Sequence, residues 1–163
     1  GTIVREPYRF WQHLANAELI RGEYSGTAGT SGGFWNCETD RNCMSNALNG
    51  KWFFDYKENL SVSGGTNKYF PFTGHLMHTG KGRTNTDSID LPDEEIITPR
   101  ELKALDDKYD DGIAGTGHIM GVPQGDAHTP NCTSTTDPAT STYRTDLSTK
   151  ECTINILLSK GAF

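Results

Sequence analysis

The residues best suited to chemistry form an acidic string in the second half of the chain. The string reads Asp106, Asp107, Lys108, Tyr109, Asp110, Asp111, Gly112. Carboxylates at this density are suitable oxygen ligands for calcium. An EF-hand loop beginning at Asp107, however, would place Tyr109 and His118 where oxygen ligands are needed, so the spacing excludes an EF-hand. Two uses stay open: Asx turns formed by Asp110 and Asp111, which we favour, and another kind of calcium site formed by Asp107, Asp110 and Asp111.

Four cysteines are the second chemical feature of the sequence: Cys37, Cys43, Cys132 and Cys152. They contain no C-x-x-C pair, which argues against zinc and thioredoxin-like motifs. Of the three possible pairings we favour the two local ones, Cys37–Cys43 and Cys132–Cys152. Each of these bridges closes a polar loop that buries little and needs a crosslink. Oxidised cysteines indicate a periplasmic or extracellular protein.

Other strings with the appearance of catalytic motifs do not withstand a check of their geometry. Ser31 in a G-T-S-G-G segment has too little chain before it to supply the histidine and aspartate of a chymotrypsin-like protease. His75 and His78, three apart on a predicted strand, point to opposite faces and cannot share a metal ion. We find no nucleophile–base pair and no paired carboxylates in the sequence, and therefore predict that the protein is not an enzyme.

Composition limits the fold to one domain with a thin core. The chain has 163 residues, of which 34% are hydrophobic, and 18 are glycine. Its net charge is −6 and its basic residues are scattered, so no basic stripe for nucleic acid is present. No apolar run is long enough to span a bilayer.

Periodicity predicts two helices and several strands. Helices are expected over 7–21, ended by Gly22, and from a capping box at Thr98 to Gly112. Strands are expected from Lys51 with Trp52, Phe54 and Tyr56 on the buried face, over 69–78, over 118–122, and over 152–158. The intervals 79–93 and 123–149 read as long polar loops. The pattern predicts an α+β fold, an antiparallel β-sheet with short helices and two disulfide-closed loops.

Two segments resemble a group of bacterial prepilins. Phe10 to Gly26 reads FWQHLANAELIRGEYSG, and Leu105 to Gly112 with the following Gly115, Thr116 and Gly117 is similar to a D-x-K-x-D-D-G string of the same group. The strand after Cys152 is similar to the end of such proteins. These segments cover about a quarter of the chain in the same order.

The resemblance implies that 1–163 is a single pilin-like globular domain of a type IV pilus or pseudopilus subunit, major or minor, in an extracellular filament on the bacterial surface. Other pilin subunits, and a host or abiotic surface, are the implied partners. The family's apolar N-terminal helix, its contact with the membrane, is absent from this sequence. We therefore expect the chain to be the C-terminal part of a longer subunit, or a subunit whose helix is encoded on a separate polypeptide.

In such a subunit the Cys132–Cys152 loop would be exposed for adhesion or subunit contacts, with Thr133 and Tyr143 at the contact surface. The 79–93 loop is a second candidate surface. The alternative function is a secreted carbohydrate- or calcium-binding module, in which Trp35 beside the first bridge would be exposed to stack on a sugar. Apart from calcium, no cofactor is expected.

Overall fold

A computed structural model describes residues 6–27, 37, 42–57, 70, 72–81, 92, 94–124 and 131–160. Its elements are α1 (Glu6–Asn16), β1 (Met44–Ser45), β2 (Lys51–Lys57), β3 (Gly74–Gly80), α2 (Pro99–Tyr109), β4 (Ile119–Met120) and β5 (Ile154–Lys160). The strands form one antiparallel sheet in the order β1-β2-β3-β5-β4. The predicted α+β class, with an antiparallel sheet and two disulfides, is confirmed.

Helix α1 forms because two large side chains recur at helical spacing on its inner face. Tyr8 and Trp11 are buried, and Tyr8 meets Phe53 of β2 edge to face. The helix is shorter than the predicted 7–21. It ends where Glu18 adopts a left-handed φ of 57° and Leu19 N–H donates to the carbonyl of Leu14. This is a Schellman-type end, so Glu18 takes the capping position that we predicted for Gly22.

Strand β2 forms where predicted, but its buried side is the other one. Phe53 is fully buried against Tyr8, whereas Trp52 and Phe54 are half-buried and Tyr56 is 45% exposed. The prediction was wrong because alternation identifies two faces without saying which one meets the rest of the protein. Phe54 is instead covered from one side by Phe10 of α1, with stacked rings 4.2 Å apart.

Helix α2 confirms its predicted start. The hydroxyl of Thr98 accepts from the backbone N–H of Glu101, and the Glu101 carboxylate accepts from the N–H of Thr98, with Pro99 at the first turn. The Glu101 carboxylate also accepts from the Thr98 hydroxyl at 2.8 Å, and its bonds from the N–H and the hydroxyl of Thr98 hold the pKa of Glu101 below its usual value. The helix ends at Tyr109, before the predicted Gly112, because Asp110 leaves the helical conformation.

The remaining strands differ from prediction mainly in length. Strand β3 begins at Gly74, β4 has two residues, and β5 starts two residues after Cys152. Strand β1, pairing Met44 with Trp52, was not predicted. His75 is exposed and His78 is buried, in agreement with their predicted opposite faces.

The buried apolar residues fall into separate clusters on the sheet. The largest cluster among the described residues joins α2, the strand ends and the second disulfide. Its members are Ile96, Ile97, Leu102, Ala114, Ile119, Val122, Cys132, Tyr143, Cys152 and Ile154. A second cluster comprises Tyr8, Cys37, Cys43 and Phe53, and a third comprises Phe70, Met120 and Leu157.

Of the two helices within the described residues, neither combines the length and the apolar character that crossing a bilayer requires.

Candidate functional site

The last turn of α2 and the segment that follows it, which we call the acidic turn (residues 106–119), are held by their own carboxylates. Asp110 Oδ2 accepts from the backbone N–H groups of His118 and Ile119, the latter at 2.7 Å. Asp111 accepts from the N–H of Ile113 at 2.9 Å and from the hydroxyl of Thr116 at 2.7 Å. The bond from Ile113 is the Asx turn that we favoured for Asp111, whereas Asp110 forms no such turn and accepts from N–H groups eight and nine residues further on.

Asp106 connects the acidic turn to the C-terminal part of the chain. Its side chain is fully buried, with one oxygen accepting from the N–H of Gly112 at 3.0 Å and the other from the hydroxyl of Tyr143 at 2.8 Å. Burial raises the pKa of Asp106 to about 6, and the charges of Asp111 and Asp110 add to the rise. Burial beside the Asp106 carboxylate also raises the pKa of Tyr143.

Among the described residues, Asp106, Asp110 and Asp111 form the group that could hold a metal ion, with ligand oxygens within 4.8 Å of one another. Asp107, which we had placed in the calcium set, is not in this group. Its carboxylate instead pairs with Lys103 on the outer side of α2, at 2.7 Å. Residue 107 follows the solvent-facing side of the helix, whereas Asp106 lies four positions after the buried Leu102.

That spacing is the signal by which Asp106 could have been found from the sequence. A carboxylate on the apolar face of a helix needs partners inside the protein. Two basic side chains of α2 that could compensate the acidic string lie elsewhere. Arg100 donates to the carbonyl of Thr145 at 3.0 Å, and Lys108 lies over the ring of Tyr109.

The loop closed by Cys132 and Cys152, which we call the C-terminal loop (residues 132–152), packs against the acidic turn and β4. Both half-cystines are fully buried, and their Cα atoms are 4.8 Å apart. Thr133 pairs with Tyr143 in an antiparallel bridge across the loop. The close packing continues at Gly115, where an added Cβ would lie 2.5 Å from the Cα of Pro138.

Thr133 and Tyr143 were predicted at the contact surface, and the structure corrects both. Thr133 is 0% and Tyr143 5% exposed. The Thr133 hydroxyl donates to the carbonyl of Val122 at 2.7 Å, and the Tyr143 hydroxyl reaches Asp106. These side chains fix the loop to the domain and are not available to a partner. Trp35 lies outside the described residues.

A groove of about 570 Å³ lies between the acidic turn and the C-terminal loop. Its described lining consists of Lys103, Gly112, Ile113, Ala139, Thr140, Ser141, Thr142, Tyr143 and Thr145. The loop side alternates, with Thr140 and Thr142 exposed and Ser141 and Tyr143 buried. The sequence-based prediction missed this groove, because its two walls are about 30 residues apart in the chain and neither carries a recognisable motif.

The first predicted bridge is also present. Cys37 and Cys43 have Cα atoms 5.5 Å apart and lie in the cluster with Tyr8 and Phe53. The amine of Lys51 donates to the carbonyl of Cys37, which ties this bridge to the start of β2.

Comparison with known proteins returns no match to a protein-family model, to a curated protein or to a solved structure.

Proposed function

We propose that this chain is the globular part of a structural subunit, major or minor, of a type IV pilus or secretion pseudopilus. The observation that carries the proposal is the use of the acidic string. Asp106, Asp110 and Asp111 each accept hydrogen bonds from the protein's own backbone or hydroxyl groups. The acidic string, one of the two segments that resemble prepilins, therefore stabilises the fold, as expected for a structural subunit.

The second resembling segment supports the same proposal. It begins at Phe10 within α1, and its large side chains pack the helix onto the domain. Trp11 is buried, and Phe10 stacks on Phe54 of the sheet. In a filament subunit the two buried disulfides would keep the domain folded outside the cytosol.

The proposal is tested in the cells that make the protein. Cys152→Ser should abolish filament assembly or secretion, because it opens the bridge at the centre of the larger core cluster. The measurement is electron microscopy of the cell surface with an antibody against this chain. Thr149→Ser, an exposed position in the same loop, is the matched control and should assemble normally.

A Cys152→Ser strain that makes normal filaments containing the chain would contradict the structural role of this bridge. Filaments that lack the chain in wild-type cells would overturn the assignment itself. The coding sequence upstream of Gly1 and the adjacent open reading frames give an independent check, since a prepilin leader and an apolar helix in either place would support the assignment.

A further inference from the structure

The groove between the acidic turn and the C-terminal loop has the size and rigidity of a ligand site. Its volume of about 570 Å³ lies within the range of small-molecule pockets, which is about 300 to 1,000 Å³. The loop wall is held by the Cys132–Cys152 bridge and by the bond from Arg100 to Thr145. A wall that is already ordered loses little conformational entropy when a ligand binds.

The hydroxyls on the loop wall are oriented to accept hydrogen bonds. The Thr140 hydroxyl donates to the Asp137 carboxylate at 2.8 Å, and the Thr142 hydroxyl donates to Ser134 Oγ at 3.1 Å. Each hydroxyl has one hydrogen, and in both cases a protein acceptor takes it. Their oxygens keep lone pairs that can accept, so hydroxyls of residues that line the groove suit a ligand that carries O–H donors.

The opposite side of the groove is apolar, and the charge of its one described basic side chain is neutralised by a neighbouring carboxylate. Ile113 lies there 43% exposed, and Ala139, which belongs to the loop wall, adds a second exposed apolar side chain to the lining. Lys103 is the charged side chain among the described lining residues, and both oxygens of Asp107 neutralise it, at 2.7 and 2.8 Å. An anion would have to compete with Asp107 for this amine, and a cation finds no carboxylate in the described lining.

We propose that this groove binds a neutral saccharide of one or two sugar rings. The C–H face of a ring would pack against Ile113 and Ala139, while its hydroxyls would donate to Thr140 and Thr142. A sugar combines these two properties in one molecule without charge. This proposal does not rest on the filament assignment, because it concerns the folded chain alone.

The test is saturation-transfer difference NMR on the purified, oxidised chain with glucose, galactose, mannose, N-acetylglucosamine and their β-linked disaccharides, each at about 10 mM, a concentration suited to millimolar affinities. Sialic acid and glucosamine serve as anionic and cationic comparators. At least one neutral sugar should show transfer and a saturable calorimetric titration. No transfer to any neutral sugar, or stronger binding of a charged comparator, would overturn the proposal.

Single substitutions in the lining of the groove test whether the sugar binds there. Thr142→Val should weaken the affinity about fivefold, the effect of one lost hydrogen bond, and Ile113→Ser should weaken it to a similar degree. Their matched controls are Thr149→Val and Leu19→Ser, at exposed positions outside the described lining. Ile113 is exposed, so its replacement leaves the fold intact even if Thr142→Val lowers the melting temperature. Affinity unchanged in both lining variants would place the sugar elsewhere and refute this site.

Discussion

The two disulfide bridges close loops of different length and join different kinds of structure. Their sequence separations of 6 and 20 correspond to roughly 2.2 and 3.3 kcal/mol in the loop-closure estimate. Cys37–Cys43 packs with Tyr8 and Phe53 beneath α1. Cys132–Cys152 instead lies in the cluster that unites α2, β4 and β5, and its loop is further fixed through Tyr143 and Asp106.

This difference teaches that the span of a disulfide-closed loop does not determine whether the loop is exposed. The longer loop has the polar composition of a surface segment, yet Thr133, Ser141 and Tyr143 are buried. Polar side chains enter a core when each finds a partner there, as Thr133 does at Val122 and Tyr143 at Asp106. The C-terminal loop is consequently part of the core, and its exposed residues form one wall of the groove.

Removing each bridge separately gives the largest expected difference between the two regions. Replacing Cys132 and Cys152 by serine should lower the free energy of unfolding by about 3 to 5 kcal/mol, since packing around the sulfurs is lost together with the crosslink. The Cys37 and Cys43 double variant should lose about 2 kcal/mol. Urea unfolding followed by circular dichroism measures both values. A difference of about 1 kcal/mol or less, which loop closure alone accounts for, would show that packing does not distinguish the bridges.

A pH titration should sharpen the comparison, because the fully buried Asp106 belongs to the C-terminal region. Its pKa rises from 3.8 to about 6 on folding, so the folded protein binds this proton more tightly. The protonation of Asp106 contributes on the order of 3 kcal/mol to the free energy of unfolding. This contribution is fully present below pH 3.8 and is lost as the pH rises to about 6.

Asp106→Asn is the matched variant for that titration, since an amide keeps the shape and one acceptor but cannot ionise. The difference in unfolding free energy between this variant and the wild type should shift in favour of the variant as the pH rises from 4 to 7. Urea unfolding at each pH provides the measurement. A difference that is constant across this range would exclude a raised pKa at Asp106.

A pair of glycine substitutions compares how well the backbone of the acidic turn and that of the segment after α1 accept a side chain. Gly117 and Gly26 have similar left-handed φ angles, 73° and 66°. Alanine at Gly117 would collide with Asp110 Oδ2, which holds two backbone N–H groups, whereas alanine at Gly26 meets the end of the Gln12 side chain. We expect Gly117→Ala to cost about 2 kcal/mol and Gly26→Ala about 1 kcal/mol in thermal unfolding. The reverse order would contradict the anchoring role of Asp110.

Calcium should have the smallest effect, because the carboxylates of the acidic turn already accept hydrogen bonds within the protein. At about 5 mM calcium chloride, in the range of weak extracellular sites, the melting temperature should change by less than about 1 °C. Calorimetric titration and scanning fluorimetry provide the check, with magnesium as the comparison ion. A saturable heat with a clear thermal shift, lost in Asp111→Asn, would establish the calcium site instead.

Features that depend on neighbours in the sequence were predictable. The capping box of α2 requires Thr98 and Glu101 three positions apart, and the final strand requires alternation over a few residues. Both bridges joined the cysteines nearest in sequence. The end of α1 was less predictable, since a left-handed Glu18 replaces the glycine that usually marks such a position.

The sequence by itself determined the element types, the bridge pairing and the presence of turn-forming aspartates, because these follow from contacts between residues close in the chain. Tertiary structure alone decided which face of β2 is buried, which aspartate lies inside, and that the C-terminal loop packs inward. The bond between Tyr143 and Asp106 joins residues 37 positions apart. Burial depends on such distant partners, and local periodicity carries no information about them.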